Sequence, residues 1–131
     1  MNEFTVQSKS RTEFIDITVA VQQFVSGKNI KDGLITVFVP HTTAGVTINE
    51  NADPDVTADL ETVLDRMVPW NGGYRHSEGN SAAHVKASLT GSSAQVIVKD
   101  GRLRLGTWQS IYFCEFDGPR QRYFYVKVQK D

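Results

Sequence analysis

Residues 34–39 read Leu-Ile-Thr-Val-Phe-Val, a run dense in β-branched and aromatic side chains. Such side chains fit a pleated, covered surface, so this run predicts a buried strand. Residues 46–49 read Val-Thr-Ile-Asn and predict a second strand. The segment 40–45, Pro-His-Thr-Thr-Ala-Gly, lies between the two. Polar residues at the end of an apolar run are typical of a place where a scaffold presents chemistry.

The remaining strands are predicted on both sides of this pair. Residues 4–7 alternate between apolar and polar side chains, as a half-buried strand does. Residues 14–25 begin with alternation and then change to helical spacing, and Gly27 is a natural stop for that helix. Toward the other end, strands are predicted over residues 94–98, 103–105, 110–116 and 122–128, with turns at Asp100-Gly101 and Gly118-Pro119.

Two helices are predicted in the middle of the chain. The first begins at Asp53-Pro54, where an acceptor side chain precedes a proline, and it carries one apolar stripe as far as Met67. The second begins at Asn80 and is expected to point Val85 and Leu89 at the core. The sequence therefore predicts an α+β fold, a strand-rich body with two or three short helices inserted mid-chain.

Composition limits the class of protein. The 131 residues fit one domain, 1–131, and 14 basic against 15 acidic residues give a formal net charge of −1. Such a chain is a poor partner for nucleic acid or an anionic membrane. The single cysteine, Cys114, has apolar neighbours that predict a buried side chain rather than a nucleophile. We see no signal peptide and no apolar stretch long enough to span a membrane, so we expect a cytoplasmic protein.

The three histidines are the first candidates for chemistry. His41 follows a strand, His76 lies in a glycine-flanked loop, and His84 lies on the second predicted helix. Neutral imidazoles are good ligands for zinc, so the three could share a metal ion, or each could make separate hydrogen bonds. His84 shares a helix face with Ser81 and Ser88, and that face either lines a cleft or is solvated.

Other polar residues extend the candidate site. Asn49 and Glu50 follow a strand, where Glu50 is either a general base or a turn residue. The glycine turns 72–73 and 79, with the helix start at Asn80, offer backbone donors that suit a phosphate. Basic residues at 75, 86, 120 and 122 could add charge. At the start of a late strand, Trp108 is either a core residue or a neighbour of Gln109 in orienting a ligand.

Four segments, residues 41–54, 74–86, 106–111 and 115–122, carry a resemblance to a known family. They read His-Thr-Thr-Ala-Gly-Val-Thr-Ile-Asn-Glu-Asn-Ala-Asp-Pro, Tyr-Arg-His-Ser-Glu-Gly-Asn-Ser-Ala-Ala-His-Val-Lys, Gly-Thr-Trp-Gln-Ser-Ile and Glu-Phe-Asp-Gly-Pro-Arg-Gln-Arg. With these motifs in this order, the chain resembles the YjbQ family, also called the secondary thiamine-phosphate synthase family.

The resemblance implies a β-sandwich-like body and a homotrimer. It also implies a pocket near a subunit boundary that holds His41, His76 and His84, with zinc or another divalent metal. The attributed activity joins a pyrimidine diphosphate to a thiazole phosphate to make thiamine phosphate. That chemistry mainly needs Mg²⁺ and basic residues around the diphosphate, whereas an imidazole-rich site suits hydrolysis or isomerisation better.

The sequence and the resemblance together predict a small metabolic enzyme that acts on a phosphorylated small molecule at a three-histidine pocket. A non-catalytic trimeric module that binds a metal or a metabolite is the alternative. The expected catalytic residues are Glu50, His84 and Asn49, and the expected substrate-binding residues are Arg120, Arg122, Lys86, Asn80, Gln109 and Trp108.

The homotrimer also has a reason in the sequence. Aromatic residues crowd the late strands, and alternation buries only every second residue of a strand inside one copy. The others would expose a large apolar patch unless a partner covered it. The residues concerned are Phe113, Phe116, Tyr123, Phe124 and Tyr125.

Overall fold

The computed structural model describes residues 2–131, which form eight strands and three helices. The strands are β1 (Asn2–Gln7), β2 (Glu13–Asp16), β3 (Gly33–Phe38), β4 (Ala44–Glu50), β5 (Ser93–Lys99), β6 (Arg102–Leu103), β7 (Gln109–Glu115) and β8 (Gln121–Lys130). The helices are α1 (Thr18–Gly27), α2 (Pro54–Met67) and α3 (Ser81–Thr90).

The strands form two antiparallel sheets. Five of them pair in the order β1-β8-β3-β5-β6, and the other three pair in the order β2-β7-β4. The main core combines residues of both sheets with the inner side of α1. At its centre, β3 turns Ile35 and Val37 inward, and neither has any exposed surface. The buried strand predicted over 34–39 is therefore confirmed, within a mixed α+β fold that is mostly strands.

The first helix begins earlier in the chain than the predicted insertion. It lies between β2 and β3, so only α2 and α3 are mid-chain. Its buried residues are Val21, Phe24 and Val25, the positions whose spacing predicted a helix. An amphipathic segment needs only one sheet to cover its apolar side, so it can follow any strand that ends beside the core.

The second helix has the predicted start. The Asp53 side chain accepts a hydrogen bond from the Asp55 N–H at 2.9 Å, and Pro54 occupies the first helical position. No residue of α2 is buried, and Val63 and Met67 of its apolar stripe are exposed. Leu60 and Leu64 of the same stripe are half-buried, and Leu64 packs against a small second core cluster, so this copy of the chain covers the stripe only in part.

The third helix buries a different face from the one that the sequence predicted. Ala82, Ala83, Lys86 and Ala87 are its buried residues, whereas Leu89 is 59% exposed and Val85 is exposed too. Small side chains let the helix lie close to β4. A Cβ atom on Gly45 of β4 would stand 2.5 Å from the Gly91 carbonyl oxygen at the end of this helix. The close approach of the backbones, which the alanine side chains and Gly45 permit, therefore decides which face of α3 is buried.

Two local predictions hold in detail. The hairpin between β5 and β6 turns through Asp100 (φ 52°) and Gly101 (φ 75°), the left-handed pair that a two-residue hairpin prefers. Cys114 is fully buried, which confirms the predicted structural role for its side chain. Within residues 2–131, no helix has the length and apolar character needed to cross a membrane.

Candidate functional site

One open cleft, of about 520 Å³, is lined by all three histidines. Its lining residues lie at the starts of β4, β8 and α3 and at the end of β7. A second opening of about 490 Å³ shares His41, Thr42 and His84 and continues along α3 past Ser88. The polar helix face predicted at positions 84 and 88 therefore does line a cleft.

The His41 ring is held by the backbone of β8. Its Nε2 atom lies 3.1 Å from the Tyr123 nitrogen and 3.0 Å from the Tyr123 carbonyl oxygen. Unprotonated Nε2 can accept from that N–H, and protonated Nε2 can donate to that carbonyl, so this nitrogen has a partner in either state. Burial and the nearby Arg122 charge lower the pKa of His41, which favours the neutral ring.

The other two imidazoles lie edge to face. The ring centroids of His76 and His84 are 5.3 Å apart and the rings are nearly perpendicular, at 89°. His76 is exposed in its loop, and its Nε2 lies 3.8 Å from Glu78 Oε2. Within residues 2–131, the ring nitrogens of His84 make no hydrogen bond, and they are not buried orphans. Both ring nitrogens of His84 are therefore available to a ligand, and His84, on α3, is more firmly placed than His76 in its exposed loop.

Asp117 is a cleft residue that the sequence did not single out. Its side chain is only 16% exposed, and its Oδ2 accepts hydrogen bonds from Asn80 Nδ2 at 2.8 Å and Arg120 Nη2 at 3.2 Å. Asn80 stands at the start of α3, as predicted, but its side chain makes no cap hydrogen bond. The sequence did offer one indication of a site here, because Asp117 is a carboxylate that lies between the end of a strand and the Gly118-Pro119 turn.

Arg122 forms a buried ion pair behind the cleft. Its Nε and Nη2 donate to the two oxygens of Glu115 at 2.8 and 2.5 Å, and Nη2 also donates to the Thr43 hydroxyl at 2.7 Å. Burial alone would raise the pKa of Glu115, but hydrogen bonds from Arg122, the Asp117 N–H and Ser8 outweigh it and hold the pKa below its ordinary range. Arg122, in β8, therefore links Thr43 at the start of β4 to Glu115 at the end of β7.

The charges around the cleft nearly cancel. Its lining holds two cations, Arg120 and Arg122, and two anions, Glu78 and Asp117, which sum to zero before the buried Glu115 is counted. Lys86 is 3% exposed, pairs with Asp65 and lines a different cleft. A phosphate carries about 1.5 to 2 negative charges at neutral pH and needs uncommitted cations. Of the two lining cations only Arg120 is exposed, and Asp117 already balances its charge, although its Nη1 donor has no partner within residues 2–131.

The other predicted site residues lie at the far end of the β4–β7 ladder. Glu50 pairs in register with Gln109, whereas Ala44, beside the cleft, pairs with Glu115. Ala44 and Glu50 are six residue steps apart along the strand, a distance of roughly 20 Å. Asn49 accepts from the Glu50 N–H, and Trp108 is 62% exposed, not core, because it lies in the turn before β7. One copy of the chain therefore does not join this group to the histidines.

The histidines do not form a metal centre within residues 2–131. No group of three or more His, Cys, Asp or Glu side chains there has the geometry to hold a metal ion. The Nε2 atom of His41 is committed to the β8 backbone, which leaves only the Nδ1 atom of that ring for a ligand. The set therefore does not fit the implied metal. A divalent cofactor, zinc or magnesium, stays a prediction without a site.

Fold and site together define a small two-sheet α+β domain with a polar, nearly neutral cleft at one end. The sequence profile described as "UPF0047 protein YjbQ-like" matches residues 2–131. The chain belongs to this family, which confirms the family resemblance.

The relatives agree over nearly the whole chain. A UPF0047 protein of Methanocaldococcus jannaschii is 50% identical over 129 residues, which cover 98% of this chain and 94% of the relative. The UPF0047 protein YugU of Bacillus subtilis is 53% identical over 124 residues, with 94% of each chain covered. The crystal structure of an uncharacterized conserved protein of the YjbQ/UPF0047 family from Clostridium acetobutylicum has a TM-score of 0.97 at 54% identity, and 98% of this chain and 100% of that chain are covered.

These findings correct the predicted function. The family description and the relatives' names carry no activity, so nothing supports thiamine phosphate synthesis. The three-histidine metal pocket is also wrong, both for an enzyme and for a metal-binding module, because residues 2–131 contain no metal-holding group. The cation count removes the physical support for a phosphorylated substrate. Among the site residues, the roles proposed for Glu50, Asn49, Gln109 and Trp108 stay predictions, at a place away from the cleft.

Proposed function

We propose that the cleft binds a small, polar organic molecule of low net charge and that His84 transfers a proton to or from it. The observation that carries this proposal is an imidazole with two unpartnered nitrogens in a cleft of about 520 Å³. Histidine is the side chain whose ordinary pKa suits proton transfer near neutral pH.

The surroundings of His84 support this role. The perpendicular His76 ring restricts it on one side, and the start of α3 fixes its backbone. Asp117 and Arg120 add one acceptor and one donor to the same lining. A neutral or singly charged molecule fits a lining whose formal charges sum to zero, and no step of proton transfer requires a metal ion.

The test uses protein dialysed against EDTA. Small keto, hydroxy and amino acids and their esters are incubated with it in deuterated buffer, and proton NMR follows deuterium exchange at carbon or ester cleavage. His84→Gln should slow the reaction by about 100-fold or more, the usual contribution of a general acid or base. Lys99→Gln, on the exposed face of β5, is the control. A reaction that appears only after zinc is added, or that is unchanged in His84→Gln, contradicts the proposal.

We further infer that copies of the chain assemble as a homotrimer. Two separate apolar surfaces are uncovered in one copy. The first is a groove between α2 and α3, which includes Leu60, Val63 and Leu89. The second is a groove on the five-stranded sheet, which includes Phe38 and Tyr125. A closed ring needs two different surfaces on each copy, so this pair suits a cyclic trimer better than a two-fold dimer.

Sedimentation of the purified chain tests the assembly. At micromolar concentration we expect a mass about three times that of one chain. Leu89→Glu should shift it toward the monomer, whereas Val19→Glu, on an exposed position of α1, should leave it unchanged. A monomeric wild-type protein, or the same loss in both variants, contradicts the inference.

A further inference from the structure

The Asp117 carboxylate is fixed in one orientation at the cleft. Two donors, Asn80 Nδ2 and Arg120 Nη2, converge on its Oδ2, and its backbone N–H donates to Glu115 Oε2 at 2.9 Å. Within residues 2–131, its Oδ1 makes no hydrogen bond. A carboxylate oxygen can accept about two hydrogen bonds, so Oδ1 keeps its full capacity for a ligand.

Arg120 is fixed by the same residue. Its Nε donates to the Asp117 carbonyl at 3.0 Å, and its Nη2 donates to the Asp117 side chain at 3.2 Å. Its Nη1 has no partner within residues 2–131. The guanidinium therefore presents an uncommitted donor edge next to an uncommitted acceptor, and both are held by bonds that need not break when a ligand binds.

Asn80 acts as a positioning residue for this pair. It occupies the N-cap position of α3 but uses its amide group for Asp117 rather than for the helix. Its Oδ1 is buried without a hydrogen-bond partner, the only such buried side-chain atom in residues 2–131. The Asn80 side chain makes no cap hydrogen bond and its oxygen has no partner, so its hydrogen bond to the Asp117 carboxylate is what holds it in place.

We propose that Asp117 and Arg120 recognise a small molecule that carries both an ammonium group and a carboxylate. Asp117 Oδ1 accepts from the ammonium, and Arg120 Nη1 donates to the carboxylate. Such a zwitterion has no net charge, which suits a lining whose formal charges nearly cancel. This inference rests on the proposed function, because it names the ligand class of the same cleft.

Calorimetry with matched probes tests the ligand class. The probes are the unbranched amino acids from glycine to 5-aminopentanoate, with methylammonium and acetate as single-group controls. At least one amino acid should bind about tenfold more tightly than either control, because two charge-assisted contacts replace one. If acetate, methylammonium or inorganic phosphate binds as well as every amino acid, the inference is wrong.

Two variants separate the contacts. Asp117→Asn should weaken amino-acid binding by about tenfold or more and leave acetate unchanged, and Arg120→Gln should weaken amino-acid binding and leave methylammonium unchanged. Asp100→Asn, in the exposed β5–β6 hairpin, is the control and should bind normally. Equal loss of all probes in both variants overturns the inference, and circular dichroism shows whether each variant is folded.

Ring signals of His84 distinguish this failure from that of the proposed function. If a probe other than an amino acid moves the carbon-bound proton signals of His84, and the amino acids do not, only the zwitterion inference fails. If no probe moves them, the proposed function fails with it.

Discussion

Loss of the Arg122 side chain should destabilise the protein strongly. Arg122 is 4% exposed and donates two hydrogen bonds to Glu115 and two to Thr43. In Arg122→Met the buried Glu115 keeps only Ser8 and the Asp117 N–H as donors. Removal of one partner of a buried ion pair costs about 3–5 kcal/mol. For a chain of this length, the melting temperature should fall by roughly 10–20 °C.

The assay is urea unfolding at pH 7. The slope of the free energy of unfolding against urea concentration is compared between variants. Arg122→Met/Glu115→Gln removes both charges, so it should recover about 2 kcal/mol relative to Arg122→Met. Arg104→Met is the control, because its ion pair with Asp100 is exposed, and it should cost less than about 1 kcal/mol.

The pH dependence gives a second check on the same variant. Without Arg122, burial should raise the pKa of Glu115 in the folded state above its unfolded value. A group whose pKa is raised on folding contributes stability at low pH, and that contribution is lost as pH rises. The free energy of unfolding of Arg122→Met should therefore be closer to that of the wild type at pH 5 than at pH 7. The reasoning would be refuted if Arg122→Met lost less than about 1 kcal/mol of unfolding free energy at pH 7, or if the double variant were at least as unstable as Arg122→Met.

Three further predictions concern single residues. Burial raises the pKa of Cys114 to about 12, so a thiol reagent at pH 8 should react only after unfolding. Gly101→Ala should cost about 1 kcal/mol by urea unfolding, because φ there is 75°. The pKa of His41 is lowered on folding, so its contribution to the free energy of unfolding is complete above about pH 6.5 and declines as pH falls below it; His41→Gln should make stability less dependent on pH below about pH 6.5.

Local signals predicted most of the elements, because they act within a few residues. The Asp53 cap, the strand at 34–39 and the Asp100-Gly101 turn each depend on neighbours in sequence. The buried face of α3 could not be predicted in this way. It depends on the approach of that helix to Gly45, a contact between distant residues.

The site was predicted only in part for the same reason. The sequence placed polar residues at strand ends, and the histidines do meet at one cleft. It could not show that Glu50 lies at the opposite end of β4, because that depends on strand length and pairing. Whether a cation is free also depends on long-range partners, as the pairing of Arg122 with Glu115 and of Lys86 with Asp65 shows.

The tight crossing of α3 over β4 limits how this protein can be re-engineered. Any side chain at Gly45 would collide with the end of the helix, so the helix could only move outward and would carry His84 with it. A wider or differently shaped opening is therefore compatible with the scaffold only through the exposed loop at 71–79 or through the side chains themselves. Variation among homologues in ligand choice should accordingly be concentrated in that loop, with position 45 restricted to glycine.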